Sequence, residues 1–313
     1  MQGFGPGDVL CDRYRLNVVL GRGAMGQVWE GADLRLERPV AVKTVAADLL
    51  AVPESRGAAI ARFRREARAA ALLGHSNVAT VFDASLDGDT CCLVMELITG
   101  TTLEYLFDCQ PGERFDVPSA AAVGAQLCSG LSAVHVAGLV HRDLKTQNVM
   151  VSRDGVVKIL DFGLVKLLAD TDPQLTMAGE GVGNLRCASP ELLSGHVPLD
   201  GRSDLYAVGC LLHHMLTGTP VFGSAKPAEL ASSHLGSPPP RIGDVGIDVP
   251  AALEDLVLAL LEKRPGDRPA GADEVYAALA SHLPAPAPAL AVSGGRPEDP
   301  RRPFLLPQGP RLS

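Results

Sequence analysis

The stretch from residue 148 to residue 161 constrains this chain more than any other. Two apolar, β-rich runs, 149–153 and 156–160, are separated by Asp154-Gly155, a strong signal for a two-residue hairpin turn. In such a hairpin Arg153 faces Val156, Val149 faces Leu160, and Asn148 faces Asp161, with Cα atoms roughly 5 Å apart. Two oxygen-bearing side chains would then meet at the open end. That pair suits a hard divalent cation such as Mg²⁺, which takes a few protein oxygens and completes its shell with water and phosphate oxygens. Five residues upstream of Asn148, Asp143 lies on the segment that enters the same place. Its carboxylate can accept a hydroxyl proton, and Lys145 can neutralise a phosphoryl group in transfer. A polar hairpin without a ligand is the bland alternative.

A second segment runs Gly21-Arg22-Gly23-Ala24-Met25-Gly26-Gln27-Val28. Glycines let a backbone approach phosphates closely, with amide hydrogens pointing at the oxygens. A dinucleotide-binding fingerprint would need a helix directly after the glycines. Here Val28-Trp29-Glu30-Gly31 reads as a strand, so the arrangement is strand, glycine turn, strand. An ordinary glycine hairpin stays open on this motif alone.

The run 39–45 is a third strand. Alternation puts Ala41 and Lys43 on one face, roughly 6.6 Å apart, so that a small residue could lie against a flat base while the lysine reaches phosphates. From 60 to 73, Ile60, Phe63, Ala67, Ala70 and Ala71 recur at helical spacing, with arginines elsewhere on the wheel. Glu66 on that helix could pair with Lys43, although an exposed helix glutamate is the commoner case. Segments 78–84 and 91–98 return to strand character, and Gly100 marks a break. Beyond it Val123, Leu127, Leu131 and Val134 form one helical face, and 206–216 and 253–261 are further helices. From Pro284 onward Pro, Ala, Gly and Arg dominate, which predicts a disordered or polyproline-like tail.

Of 313 residues, 46% are hydrophobic and 20% charged, which is ordinary for a folded protein, and a net charge of −8 gives no sign of nucleic-acid binding. The seven cysteines include no C-x-x-C pair, so we expect free thiols and a cytoplasmic location. Residues 1–12 lack the basic and apolar regions of a signal peptide. No uncharged apolar stretch of membrane-spanning length is evident, with 205–222 coming nearest.

Taken together, the glycine-rich turn, the strand lysine, the helix glutamate, His141-Arg142-Asp143 and Asp161-Phe162-Gly163 resemble the signature set of the protein kinases. Ser189-Pro190-Glu191, Asp204 in a long helix, and Arg268 match later family positions. The similarity runs from about residue 12 to 283 and is nearest in character to bacterial, eukaryotic-like (Hanks-type) serine/threonine kinases.

The resemblance implies an α+β, bilobal fold. Residues 1–11 would be a leading segment, about 12–96 a small β-rich lobe with one main helix, 96–100 a hinge, 101–283 a larger helical lobe, and 284–313 the tail. It implies ATP and Mg²⁺, with Mn²⁺ as an alternative ion, and transfer to Ser or Thr of protein substrates, the chain itself included. That would involve self-association, with neither nucleic acid nor a membrane segment. Leu20, Gly21, Arg22, Gly23, Ala24, Met25, Gly26, Gln27 and Val28 would cover the nucleotide. Lys43, oriented by Glu66, would contact its α- and β-phosphates. Val28, Ala41 and Met150 would enclose the adenine, Met95 would be the gatekeeper, and Glu96 and Ile98 would offer backbone hydrogen bonds. Asp143 would be the base, Lys145 the γ-phosphate partner, and Asn148 and Asp161 the metal ligands. Arg142 would couple activity to phosphorylation at Thr171 or Thr176, while Glu191, Arg268 and Asp204 would be structural.

Two departures stand out. Gly183-Asn184 replaces the usual Gly-Thr, whose threonine in the family bonds the catalytic Asp and Lys, and Thr146 replaces a common proline. Thr146 is a mild change, and Asn184 keeps alive the reading of an ATP-binding pseudokinase scaffold.

Overall fold

Alternation of side chains builds an antiparallel sheet of six strands: β1 (Val9–Leu10), β2 (Tyr14–Gly23), β3 (Gly26–Asp33), β4 (Arg38–Val45), β5 (Val81–Asp87) and β6 (Thr90–Met95), in the order β1-β2-β3-β4-β6-β5. These coordinates are a computed structural model, which describes residues 4–23, 26–45, 56–87, 90–109, 114–161, 185–195, 199–285 and 298–305. One face of the sheet buries Tyr14, Leu16, Trp29, Val40, Val42, Cys92 and Val94. Polar anchors fix its start. Arg13 donates from Nε and Nη2 to both Asp33 oxygens at 2.8 and 2.7 Å, and Tyr14 Oη donates to Asp83 at 2.6 Å. The Arg13 hydrogen bonds hold the Asp33 carboxyl down at about 2.

Helix α1 (Arg56–Leu72) packs on β5. Phe63, Ala67 and Ala70 are buried as their spacing requires, and Glu66 is buried with them. Ala71 faces outward: at 100° per residue it lies beyond the edge of a stripe centred between Phe63 and Ala70.

These elements form one compact unit, which ends at Ile98. A second begins at Thr99 and also takes in Ser76–Val78. The second holds a three-stranded sheet of β7 (Gly100–Thr102), β8 (Val149–Ser152) and β9 (Val157–Ile159). Around it are α2 (Leu103–Cys109), α3 (Val117–Val136), α4 (Pro190–Ser194), α5 (Gly201–Thr217), α6 (Pro227–Gly236), α7 (Ala251–Leu260) and α8 (Ala272–Leu279). Asp116 caps α3 by accepting from Ser119 N at 2.9 Å, and Asp200 caps α5 by accepting from Arg202 N at 2.8 Å. Val123, Leu127, Leu131 and Val134 are fully buried, each contributing about 1.5–3 kcal/mol. Helix α3, rather than 205–222, is the stretch long and apolar enough to cross a bilayer among the described residues, and most of it is buried in this core.

Histidine burial makes this unit sensitive to acid. His234 is fully buried, and its Nδ1 meets Tyr206 Oη at 2.9 Å. Burial, with the charge of Lys263 beside it, holds His234 down at about 4. The unfolded chain takes up that proton near 6.5, so this contribution is complete above about pH 6.5 and falls away as pH drops toward 4. At pH 5 the loss is about 2 kcal/mol. Urea unfolding at pH 7.5 and pH 5 should show it, and His234→Leu should be less stable at pH 7.5 with a shallower pH dependence. Equal pH slopes in the two proteins would contradict this.

The tail departs from expectation. Residues 298–305 form a turn and one helical turn, α9 (Arg302–Leu305), with Phe304 packed on the core of the second unit. A compositional reading misses this because the contacts join positions far apart in sequence.

Candidate active site

The second unit assembles the loop 141–148 on a carboxylate supplied by α5. Asp204 accepts from His141 N and Arg142 N, both at 2.9 Å, and from His135 Nε2 at 2.8 Å. Arg142 sits at φ 63, a left-handed conformation costing about 1–3 kcal/mol in a non-glycine residue, and the Asp204 fork holds it there. Burial pushes the Asp204 carboxyl up, but the hydrogen bond from His135 and the neighbouring histidines outweigh it and keep the carboxyl below its ordinary value. His141 Nδ1 accepts from Asp143 N at 3.3 Å, so its Nε2 carries the hydrogen donated to Leu160 O at 2.7 Å. One imidazole thereby ties the loop to the residue before Asp161.

Asp143 is the centre of a tight cluster. Lys145 Nζ lies 3.0 Å from its Oδ2, and Asn148 Nδ2 donates to its backbone O at 2.7 Å and to Oδ2 at 3.0 Å. Gln147 donates to Glu104 of α2, fastening the one-turn helix Thr146–Asn148.

The hairpin joining Asn148 to Asp161 has a different register from the one expected. Val149 pairs with Ile159, Met150 with Lys158 and Val151 with Val157, and Leu160 N donates to Asn148 O at 2.8 Å. Asn148 therefore stands opposite Leu160, and Asp161 lies one residue further on. The loop is Arg153-Asp154-Gly155: Gly155 N donates to Ser152 O at 2.9 Å, and Gly155 follows at φ 78. This is a type I turn closed by a left-handed glycine, a three-residue alternative that Asp-Gly also favours. Asp161 itself is at φ 50, where the chain leaves the ladder.

The donor set fits a divalent cation. Asn148 Nδ2 donates twice to Asp143, which sets the amide's orientation and leaves Oδ1 as the atom that could face a cation. Asp161 adds a carboxylate. Among the described residues there is no cluster of three His, Cys, Asp or Glu. Mg²⁺ takes a few protein oxygens, which an amide and a carboxylate could supply in part, and keeps water and phosphate ligands.

In the first unit, the glycine-rich segment is the end of one hairpin. Gly21 pairs with Val28, Arg22 with Gln27, and Gly23 with Gly26. Ala24 and Met25 lie outside the described residues. Gly26 has φ 140, and a Cβ there would meet Thr44 O at 1.8 Å, so only glycine lets β3 lie this close to β4. Leu20 is exposed on β2. Val28 stands opposite Lys43, and Ala41 opposite Met95. Lys43 and Glu66 are both buried, an uncommon condition for either residue. Glu96 N donates to Thr80 O at 2.9 Å and its carboxylate accepts from Thr80 N, so a ligand contact there falls to the Glu96 carbonyl; Ile98 closes the unit.

Arg268 uses all five of its donors. Two meet the Glu191 oxygens at 2.7 and 2.8 Å, and the others reach the carbonyls of Arg202, Glu262 and Lys263. Its guanidinium lies 4.9 Å from the centre of the Tyr206 ring. His135, Gln147 and Glu104 were not singled out in the sequence. His135 meets a partner 69 positions away, and no local spacing marks it. Phe162, Gly163, Thr171, Thr176, Gly183 and Asn184 lie outside the described residues.

The pattern of the protein kinase domain matches residues 14–279. The chain belongs to the protein kinase family. Among its relatives, serine/threonine-protein kinase PknB of Mycolicibacterium smegmatis is 37% identical over 278 residues, covering 86% of this chain and 43% of that protein. Probable serine/threonine-protein kinase PknB of Corynebacterium glutamicum is 35% identical over 279 residues, covering 87% and 42%. This kinase chain thus spans about two fifths of the length of those relatives. The crystal structure of the Mycobacterium tuberculosis PknI kinase domain superposes with a TM-score of 0.71 over 90% of this chain and 99% of that one, at 23% identity, a likeness of fold.

Proposed function

We propose that this chain is a serine/threonine protein kinase that transfers the γ-phosphoryl group of Mg-ATP to hydroxyls on proteins. The observation that carries this reading is the Asp143 cluster, in which Lys145 and Asn148 both bond one carboxylate. Asp143 takes the proton as the hydroxyl oxygen bonds to phosphorus and the bond to the leaving diphosphate breaks. Lys145 lies 3.0 Å from that carboxylate and neutralises the group in transfer. Lys145 beside the base also favours Ser and Thr over Tyr, by analogy with the family. Asn148 and Asp161 would hold Mg²⁺, or Mn²⁺ as the alternative ion, which when bound would supply charge neutralisation at the phosphates. In the first unit, the backbone of Gly21, Gly23 and Gly26 lies along the phosphates. Lys43, set by Glu66, meets the α- and β-oxygens. Val28 and Ala41 hold the base, Met95 sets the depth of its pocket, and the Glu96 carbonyl and Ile98 bond its edge.

Substrates include the chain itself at Thr171 or Thr176, with Arg142 as the phosphate's partner. Cys11, Cys91, Cys92, Cys128, Cys187 and Cys210 are free thiols, which supports a cytoplasmic site of action. Lys43, Asp143, Asn148 and Asp161 are all retained, so a scaffold without transfer is the weaker reading.

Calorimetric titration tests the metal assignment. ATP should bind the wild type at least tenfold tighter (about 1.4 kcal/mol) with Mg²⁺ than with EDTA, and Asp161→Ala should abolish that difference while still binding ATP. A Mg²⁺ effect that survives in the variant would remove Asp161 from the metal site.

A further inference from the structure

Residues 298–305 lie across the back of the hairpin that carries Asn148 and Asp161. Thr101 Oγ1 on β7 donates to Glu298 Oε2 at 2.5 Å. Gln126 Nε2 on α3 donates to Pro300 O at 3.0 Å, and Arg302 donates to Arg153 O at 3.1 Å. Asp299 O sits against the turn, where a Cβ on Gly155 would stand 2.1 Å away. Pro303 and Phe304 complete a recess with Asn77, Gln126, Val156 and Tyr276. Arg301 also reaches Asp116, but that exposed pair adds little.

Gln126 is the junction. Its Oε1 accepts from Asn77 Nδ2 at 3.0 Å and from Val157 N at 2.9 Å, while its Nε2 reaches Gly155 O at 3.3 Å as well as Pro300 O. Asn77 in turn donates to Val157 O at 2.9 Å and accepts from Ile159 N at 2.9 Å. A bond from the segment therefore enters the same buried amide network that fixes β9, two residues before Asp161. Buried networks whose members are all bonded rigidify what they hold and are worth more than their separate bonds.

We propose that the face made by β7, the turn between β8 and β9, and the N-terminal half of α3 is a peptide-docking groove. Its occupant is the chain's own segment 298–305, bound in cis, and occupancy stiffens the β8–β9 hairpin. The groove takes an acidic residue at one end, backbone carbonyls in the middle and a Pro-Phe pair at the other. Occupancy in cis follows from the ends: Leu283 and Phe304 both pack on the core of this unit. The residues between 285 and 298 can span about 40 Å when extended. The consequence for catalysis rests on the kinase reading; the docking does not.

Hydrogen exchange on the full chain tests this, with Glu298→Ala/Phe304→Ala beside wild type. Amides of β8 and β9 should exchange about tenfold faster in the variant, with α5 and the six-stranded sheet unchanged. A synthetic peptide of residues 298–305 should restore the protection, and the KM for Mg-ATP should rise in the variant and fall again with peptide. Unchanged exchange in β8 and β9, or faster exchange everywhere, would overturn the proposal. A wild-type dimer that the two substitutions dissolve would overturn occupancy in cis. Altered exchange without phosphoryl transfer by either protein would leave the docking intact and count against the kinase reading alone.

Discussion

Asp143→Asn is expected to lower kcat by roughly 10²–10⁴-fold, the usual worth of a positioned general base, while leaving ATP affinity nearly unchanged. An asparagine oxygen can still accept from Lys145 Nζ and Asn148 Nδ2, the two groups that hold the carboxylate now, so the loop keeps its shape. What is lost is the capacity to take a proton. Steady-state kinetics with a protein or peptide substrate would separate the two effects. A kcat within tenfold of wild type would show that Asp143 is not the base, and a large rise in KM for ATP would show that it is a binding residue.

The second large effect concerns stability. Arg268→Ala is expected to lower the unfolding free energy by about 3–5 kcal/mol, because it leaves the buried Glu191 carboxylate without its partner. Three backbone carbonyls, those of Arg202, Glu262 and Lys263, lose their donors at the same time. Arg268→Lys should recover little. One ammonium has three donors and no planar fork, so it cannot meet two carboxylate oxygens and three carbonyls together. Replacing both residues by leucine and methionine should recover only part of the loss, since the three carbonyls stay unmet. Urea unfolding of the four proteins gives these values. A loss below about 1 kcal/mol for Arg268→Ala would mean that the pair is not buried in solution as it is here.

Much of this was legible in the sequence because the signals are local. Alternation in 39–45, the glycines at 21, 23 and 26, and the period of Val123, Leu127, Leu131 and Val134 each act over a few residues. The structure has strands and a helix at those places. The hairpin was legible in kind but not in register. Asp-Gly serves both a two-residue turn and a type I turn closed by a left-handed glycine, and here the Ser152 hydroxyl accepts from Val156 N at 3.1 Å across the longer loop. A shift of one residue moves Asp161 off the ladder, where its backbone turns to φ 50. The tail was illegible for a different reason. Nothing in Glu298-Asp299-Pro300 announces Thr101 and Gln126, which lie 197 and 174 positions away. The same holds for His135, whose role exists only because α5 brings Asp204 to it.

The central claim is phosphoryl transfer by this chain, and the measurement is incubation with γ-labelled ATP and Mg²⁺ beside the Asp143→Asn variant, followed by mapping of the labelled residues. The account predicts label on serine or threonine with wild type alone, Thr171 or Thr176 among the positions. Tight Mg-ATP binding with no label in either protein, in the presence of protein substrate, would contradict it and leave a nucleotide-binding scaffold.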